Sequence, residues 1–234
     1  MKTWNSICRF LKKIENNMLR FNFILLLIGF LSISSFAQND VDAAQLLEKL
    51  SIKYQRYQTS ILDVELIIDV PEIEESTVLI SKVWLKGDQF KIEFDDKILM
   101  SNTISQWIYL KEVNELQISK YDPTAMIFLP SKLFNLYSAE YIYRIVEEFK
   151  NDKGELVKNV ELSPVNKELE IFKIIASVNT KTLTLISTKM FEKSGFKYSY
   201  KINSLETNIK IEDAFFIFDT KAFNIDTDDI TDLR

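Results

Sequence analysis

The chain has 234 residues, of which 47% are hydrophobic and 12% aromatic, and its formal net charge is −5. This size predicts one domain with a packed core, plus any processed leader. The chain has no histidine and a single cysteine, Cys8, so histidine-based triads, papain-like sites, zinc sites and an internal disulfide are excluded for want of residues. We therefore expect no enzyme, no cofactor and no metal site.

The N-terminus is typical of a secretory leader. Lys12, Lys13 and Arg20 precede an uncharged apolar run that ends at Ser35-Phe36-Ala37, where small residues suit a signal peptidase. The sequence predicts a signal peptide over 1–37, with Met18 as an alternative start and a membrane anchor as the alternative interpretation. Without residues 1–37 the chain loses five basic residues and one acid, so its net charge falls from −5 to −9. Such an acidic exported domain disfavours nucleic acid and anionic lipid as partners.

The first elements beyond the leader are a helix and a hairpin. Apolar residues recur at steps of three and four from Asp40 to about Tyr57, which predicts an amphipathic helix capped by Asp40 or Asp42. From Ile61 the period becomes two, so a half-buried antiparallel strand is predicted up to Pro71, with its partner over about 77–85.

Residues 81–121 predict a β-meander. Turns are expected at Lys86-Gly87-Asp88 and Asn102-Thr103, because glycine accepts a positive φ and asparagine favours turns. We expect the large apolar side chains of these strands to lie on one surface of a curved sheet: Phe90, Ile92, Phe94, Trp107, Tyr109 and Leu116.

The middle of the chain, residues 126–137, is a very apolar segment interrupted by Pro130. We expect a short helix that covers a cavity or an open end of the sheet, and an ordinary core helix is the alternative.

The rest of the chain returns to strands. Hairpin turns are expected at 151–154, 179–180 and 193–195, a last short strand at Phe215–Phe218, and a frayed acidic tail over 227–234. The total is about ten or eleven strands, so the fold class is α+β, mainly β, and so many strands tend to curl toward a barrel.

The order of these motifs resembles the LolA family of periplasmic outer-membrane lipoprotein carriers. The similar stretches are AAQLLEKL, VWLKGDQFKIEF, ILMSNTISQWIYLKEVNELQI, VELSP and FFIFDTKAFNIDTDD. The family usually has Ser-Asp-Gly where this chain has Ser101-Asn102-Thr103. Many proteobacterial members have Lys-Arg-Pro where this chain has Lys86-Gly87-Asp88. In those members the arginine is involved in closing the lid and releasing the cargo. The Lys-Gly-Asp version resembles carriers of Bacteroidetes-like bacteria.

The resemblance implies an unclosed antiparallel β-barrel with helices as a lid over an apolar cavity. It implies a periplasmic chaperone that takes acylated lipoproteins from an inner-membrane ABC transporter and delivers them to the outer membrane, with a possible acceptor there. Nothing in the sequence suggests more than a monomer, so a monomer is expected. On this interpretation the acyl chains contact walls at Phe90, Ile92, Phe94, Trp107, Tyr109 and Leu116, and a lid at Met126, Phe128, Leu133 and Phe134. Arg56 and Arg144, the only arginines between the leader and Arg234, are candidates to serve where the family's arginine is missing.

Other interpretations stay open at this point. A periplasmic module that binds free lipid or another apolar molecule would need the same cavity, and an interaction domain would use the open sheet for a protein partner. Asp226, Asp228 and Asp229 lack the ligand spacing of a calcium loop, so we interpret them as part of a solvated tail.

Overall fold

The fold is known from a computed structural model that describes residues 40–122 and 138–234. The predicted leader, Met18 and the apolar segment over 126–137 lie outside these residues. The described part contains one α-helix, α1 (Val41–Gln55), and short 3₁₀ helices at Asp213–Phe216 and Thr227–Asp229. Its strands are β1 (Thr59–Asp69), β2 (Thr77–Lys86), β3 (Gln89–Glu93), β4 (Lys97–Ser101), β5 (Ser105–Leu110), β6 (Glu115–Lys120), β7 (Tyr141–Lys150), β8 (Leu156–Pro164), β9 (Ile171–Asn179), β10 (Thr184–Glu192), β11 (Lys197–Thr207) and β12 (Ile230–Asp232).

All twelve strands belong to one sheet in the order β12-β6-β5-β4-β3-β2-β1-β11-β10-β9-β8-β7. Neighbouring strands are antiparallel except β12, which pairs parallel to β6. Strands β12 and β7 are the two ends of this order and do not pair with each other in the described part of the chain. The predicted unclosed, mainly antiparallel barrel is confirmed, with twelve strands rather than ten or eleven.

Helix α1 forms as the sequence predicts. The Asp40 carboxylate accepts hydrogen bonds from the backbone N–H groups of Asp42 (3.0 Å) and Ala43 (3.2 Å), so Asp40 is the N-cap. Ala43, Leu47, Leu50 and Tyr54 are buried on one side of the helix, against the sheet. This single buried stripe holds the helix on the sheet, because an isolated helix of this length is marginal in water.

Both ends of α1 are tied to strands. At the start, the Asp40 backbone N–H donates to the Tyr143 carbonyl at 3.0 Å, and the Ile145 N–H donates to the Asp40 carboxylate at 3.2 Å. At the end, Lys53 Nζ donates to the carbonyls of Thr182 (2.8 Å) and Leu183 (3.0 Å) in the turn between β9 and β10. The helix is therefore fixed over the half of the sheet that contains β7–β10.

The predicted turns of the meander are confirmed. Gly87 has φ +56° between β2 and β3, a conformation that glycine adopts without steric cost. Between β4 and β5, the Asn102 side-chain oxygen accepts hydrogen bonds from the N–H groups of Ile104 (3.0 Å) and Ser105 (2.9 Å), while Thr103 has φ +74°. The asparagine side chain thus closes the turn, and the threonine takes a position that suits glycine.

The C-terminal segment, residues 208–234, differs from the prediction. Instead of a strand, Phe215–Phe218 contains the end of the 3₁₀ helix Asp213–Phe216. Instead of a frayed tail, the last residues form β12, and the Leu233 N–H donates to the Ile118 carbonyl at 2.8 Å. Both expectations were wrong because these residues are held by contacts with the meander, which lies about a hundred residues earlier in the chain and has no signature in the local pattern.

Candidate functional site

The strand registers divide the side chains of the sheet between two faces. Phe90 lies opposite Leu85 and Ile92 lies opposite Val83, so these four side chains share a face. The buried stripe of α1 packs in the same cluster as these residues. We call this the inner face, and we call the opposite side of the sheet the outer face.

The inner face formed by β1, β2 and β3 carries no charged side chain. Its positions are Ser60, Leu62, Val64, Leu66, Ile68, Thr77, Leu79, Ser81, Val83, Leu85, Phe90 and Ile92. The outer face of the same strands carries Asp63, Glu65, Asp69, Lys82, Lys91 and Glu93. Because burying an unpaired charge is costly, a ligand against the inner face has to be neutral where it makes contact.

Several apolar side chains on the inner face remain half-buried. Leu66 on β1, Leu99 on β4 and Tyr198 on β11 pack at the margin of the buried cluster, as do Phe94 and Tyr121. Protein cores normally bury such residues fully. These half-buried positions, away from the part of the sheet to which α1 is tied, form the candidate binding surface.

Hydroxyl groups add polarity to this surface without adding charge. Burial raises the pKa of Tyr121, Tyr141, Tyr198 and Tyr200 above the ordinary tyrosine value, so all four stay neutral at physiological pH. Thr188 lies opposite Tyr200 and is 1% exposed, and its hydroxyl has no hydrogen-bond partner in the described part of the chain. The inner face of β1, β2, β3 and β11 is thus apolar with a few neutral hydroxyls. Charge lies at its margin, where Lys97 Nζ is 5.4 Å from the Phe94 ring centroid and the Glu192 carboxylate accepts from Tyr198 at 3.1 Å.

The structure separates the predicted wall residues into two groups. Phe90 and Ile92 are buried on the inner face, and Phe94 is half-buried beside them. Trp107 and Tyr109, with Leu116, lie on the outer face, because Trp107 is opposite Met100 and Met100 is opposite Lys91. The expectation that all six side chains share one surface was therefore wrong.

Trp107, Tyr109 and Leu116 belong to a second buried cluster. It comprises Ile98, Met100, Trp107, Tyr109, Leu116, Ile118 and Phe218. The C-terminal segment covers it: the Phe218 and Phe223 rings lie 5.3 and 5.0 Å from the Tyr109 ring, centroid to centroid. β4 is apolar at three successive positions, Ile98-Leu99-Met100, and a strand apolar on both sides is normally covered on both sides. This signal in the sequence could have indicated the second cluster.

The four predicted lid residues, Met126, Phe128, Leu133 and Phe134, lie outside the described residues. The structure adds inner-face residues that the sequence analysis did not select, namely Leu66, Leu99, Tyr121 and Tyr198. For Leu66 the strict alternation of β1 was a sufficient signal, whereas the position of Tyr121 depends on how the chain leaves β6.

Arg56 and Arg144 were the candidates to replace the family's arginine. Arg144 is on the outer face, where its guanidinium forms an ion pair with Glu161 at 3.0 Å. Arg56 is the C-cap of α1. Within residues 40–122 and 138–234 there is no metal-ligating cluster, and no helix is both long and apolar enough to cross a bilayer.

Comparisons with protein-family models and with curated proteins find no match. Solved structures do resemble the chain. An uncharacterized conserved protein from Thermus thermophilus aligns over 82% of this chain and 99% of its own, with 12% identity and a TM-score of 0.51. At this identity the likeness concerns the fold alone.

Two further structures bear names related to the family that the sequence resembles. One is a putative outer membrane lipoprotein-sorting protein domain from Vibrio parahaemolyticus, with 13% identity over 78% of this chain and 98% of its own, and a TM-score of 0.43. The other is a LolA superfamily protein from Nitrosomonas europaea, with 12% identity, 75% and 97% coverage, and a TM-score of 0.40. Proteins of the LolA superfamily are thus among the solved structures that are similar to this chain.

Proposed function

We propose that this chain is a periplasmic carrier that shelters the acyl chains of lipoproteins against its inner face. The observation that supports this most directly is the uncharged inner face of β1, β2 and β3, together with half-buried Leu66, Leu99 and Phe94 beside it. The sequence resemblance to lipoprotein carriers and the predicted signal peptide agree with it. The same features favour a binding protein over an enzyme.

The energetics of an acyl chain require such a surface. Each methylene group removed from water contributes about 0.8 kcal/mol, so an acylated protein does not cross an aqueous compartment unaided. Half-buried apolar side chains can cover a chain and still release it, because the surface that they present is incompletely packed without ligand. The neutral hydroxyl of Tyr121 can donate to the ester and amide carbonyls beside acyl chains, whereas the Tyr198 hydroxyl already donates to the Glu192 carboxylate at 3.1 Å.

In this proposal the chain acts as a monomer between two membranes. An ABC transporter of the inner membrane would load it, and the outer membrane, with or without a dedicated acceptor, would receive the cargo. The net charge of −9 without the leader suits this role, because it disfavours adsorption to anionic lipid during transit.

A matched pair of variants tests the binding surface. Leu66 and Ile67 are adjacent in β1 and both half-buried, but Leu66 is on the inner face and Ile67 on the outer face. In the chain from residue 38 onward, Leu66→Glu should weaken the binding of a fluorescent fatty acid about tenfold. Ile67→Glu should bind the fatty acid with the affinity of the unmodified chain. Circular dichroism confirms that both variants are folded. Equal binding by the two variants would refute the inner face as the site.

The cargo is identified with energised spheroplasts that export lipoproteins. The carrier proposal expects an acylated lipoprotein in the soluble fraction, in a one-to-one complex with the added chain. Uptake of free lipid alone would instead support the periplasmic lipid-binding module. Recovery of neither cargo would contradict both functions.

A further inference from the structure

The hairpin of β1 and β2 extends beyond β3. β1 pairs with β2 along Thr77–Lys86, whereas β3 pairs only with Lys82–Lys86. In the described part of the chain no strand lies beside residues 77–81 on the β3 side. Within residues 40–122 and 138–234, the backbone groups on that side of these five residues form an unpaired strand edge, which can template another strand.

The residues of this edge do nothing to block such pairing. Segment 77–81 contains no charge and no proline, and its β-branched Val78 and Ile80 are 54% and 53% exposed on the outer face. Natural edges are usually protected by charges, prolines or a covering segment. β7, an end strand of the sheet, is protected in this way: Asp40 bonds to Tyr143 and Ile145, and charged side chains follow.

The loop beside the free edge is acidic. Glu72, Glu74 and Glu75 are exposed between β1 and β2, and none of them forms an ion pair with the described residues. No basic residue occurs from Val70 to Ser81. An apolar strand edge next to three uncompensated carboxylates is complementary to an apolar segment with basic flanks.

We infer that residues 77–81 dock an extended segment of a partner protein, which adds to β2 as a further β-strand. Backbone hydrogen bonds along the edge would hold this segment, and its alternate apolar side chains would contact Val78 and Ile80. Its basic residues would lie beside the acidic loop. The side chains on the other face of the added strand would lie beside Leu79, which shares the inner face with Leu66. This inference does not depend on what the inner face binds.

A labelled peptide probes the edge directly. The probe is a short peptide of alternating valine and threonine with a lysine at each end, and its counterpart has glutamates in place of the lysines. Fluorescence anisotropy with the chain from residue 38 onward should show that the lysine peptide binds and that salt weakens this binding. The glutamate peptide should bind about tenfold more weakly.

Two variants separate the edge from other exposed apolar residues. Ile80→Lys should weaken binding of the lysine peptide by at least roughly tenfold, because it removes an apolar contact and adds like charge. Ile104→Lys is the matched control, since Ile104 is 75% exposed in the turn between β4 and β5, and it should bind like the unmodified chain. Hydrogen exchange should show protection of the amides of 77–81 by the peptide and no change in β7.

Failure of the lysine peptide to bind would overturn the inference, as would unchanged binding to Ile80→Lys or protection of β7 instead of β2. Self-association of the peptide-free chain that is abolished by Ile80→Lys would also overturn it, because the edge would then serve a second copy of the chain.

Discussion

Asp40 offers the sharpest test of how α1 is held on the sheet. Its carboxylate accepts three backbone hydrogen bonds, from Asp42 and Ala43 in the first turn of the helix and from Ile145 on β7. Replacing an N-cap aspartate by alanine costs about 1 kcal/mol, and a hydrogen bond to a charged acceptor contributes about 1.5–3 kcal/mol. Because Asp40 is only partly buried, the lower value applies. We expect Asp40→Ala to lower the free energy of unfolding by about 2–3 kcal/mol.

The measurement is urea unfolding of the chain from residue 38 onward, followed by circular dichroism. Asp42→Ala is the matched control, because Asp42 lies in the same helical turn and contributes mainly through the helix dipole, about 0.3–1 kcal/mol. Equal losses for Asp40→Ala and Asp42→Ala would refute the bridging role of Asp40.

The pH dependence of the Asp40→Asn variant tests the ionised form of Asp40. Partial burial by itself raises the pKa of Asp40, but the hydrogen bonds from Ile145, Ala43 and Asp42 and the positive charge of Lys158 outweigh it, so the net pKa is lowered. A lowered native pKa stabilises the fold above the unfolded-state value of about 3.9, and this contribution is lost as the pH falls through the native value. Asparagine caps helices well, but it has a single acceptor oxygen, so it loses the bond from the Ile145 N–H together with the charge. Asp40→Asn should be about 1.5 kcal/mol less stable at neutral pH and should approach the unmodified chain in acid, where protonated Asp40 has also lost its charge. A difference that persists in acid would contradict this account.

Three further changes test separate parts of the fold. Thr103→Gly should raise the free energy of unfolding in urea by about 0.5–1 kcal/mol, because φ +74° disfavours threonine; a loss of stability would contradict this. Phe218→Ala should cost about 3–5 kcal/mol and increase hydrogen exchange in β12 and β6 but not in β9, since Phe218 is 6% exposed in the outer cluster. Tyr54→Phe should cost about 1–3 kcal/mol in thermal unfolding, because the buried Leu185 N–H loses its acceptor at 3.0 Å. Burial raises the pKa of Tyr54 to about 12, so its contribution is complete below pH 10 and is lost toward pH 12.

The elements with a strong local pattern were predictable. The helix capped by Asp40, the alternating strand β1 and the turns at Gly87 and Asn102 follow from side-chain period, capping and turn chemistry, all of which act over a few residues. The open sheet was predictable from the number of such strands and from the order of the motifs.

The candidate site was only partly predictable. Alternation shows that Trp107 and Tyr109 share a face, but it does not show which face of the sheet that is. The strand register places them on the outer face, where the C-terminal segment buries them.

What the sequence alone determined is therefore local: which residues form helix, strand and turn, and that no histidine is present to serve as a base or ligand. The tertiary structure decided which apolar face meets α1, which face meets the C-terminal segment, and which strand edge the described residues leave unpaired. The physical reason is that period and propensity act between near neighbours, whereas the faces and edges of a sheet depend on pairing between strands up to about 150 residues apart, such as β1 with β11.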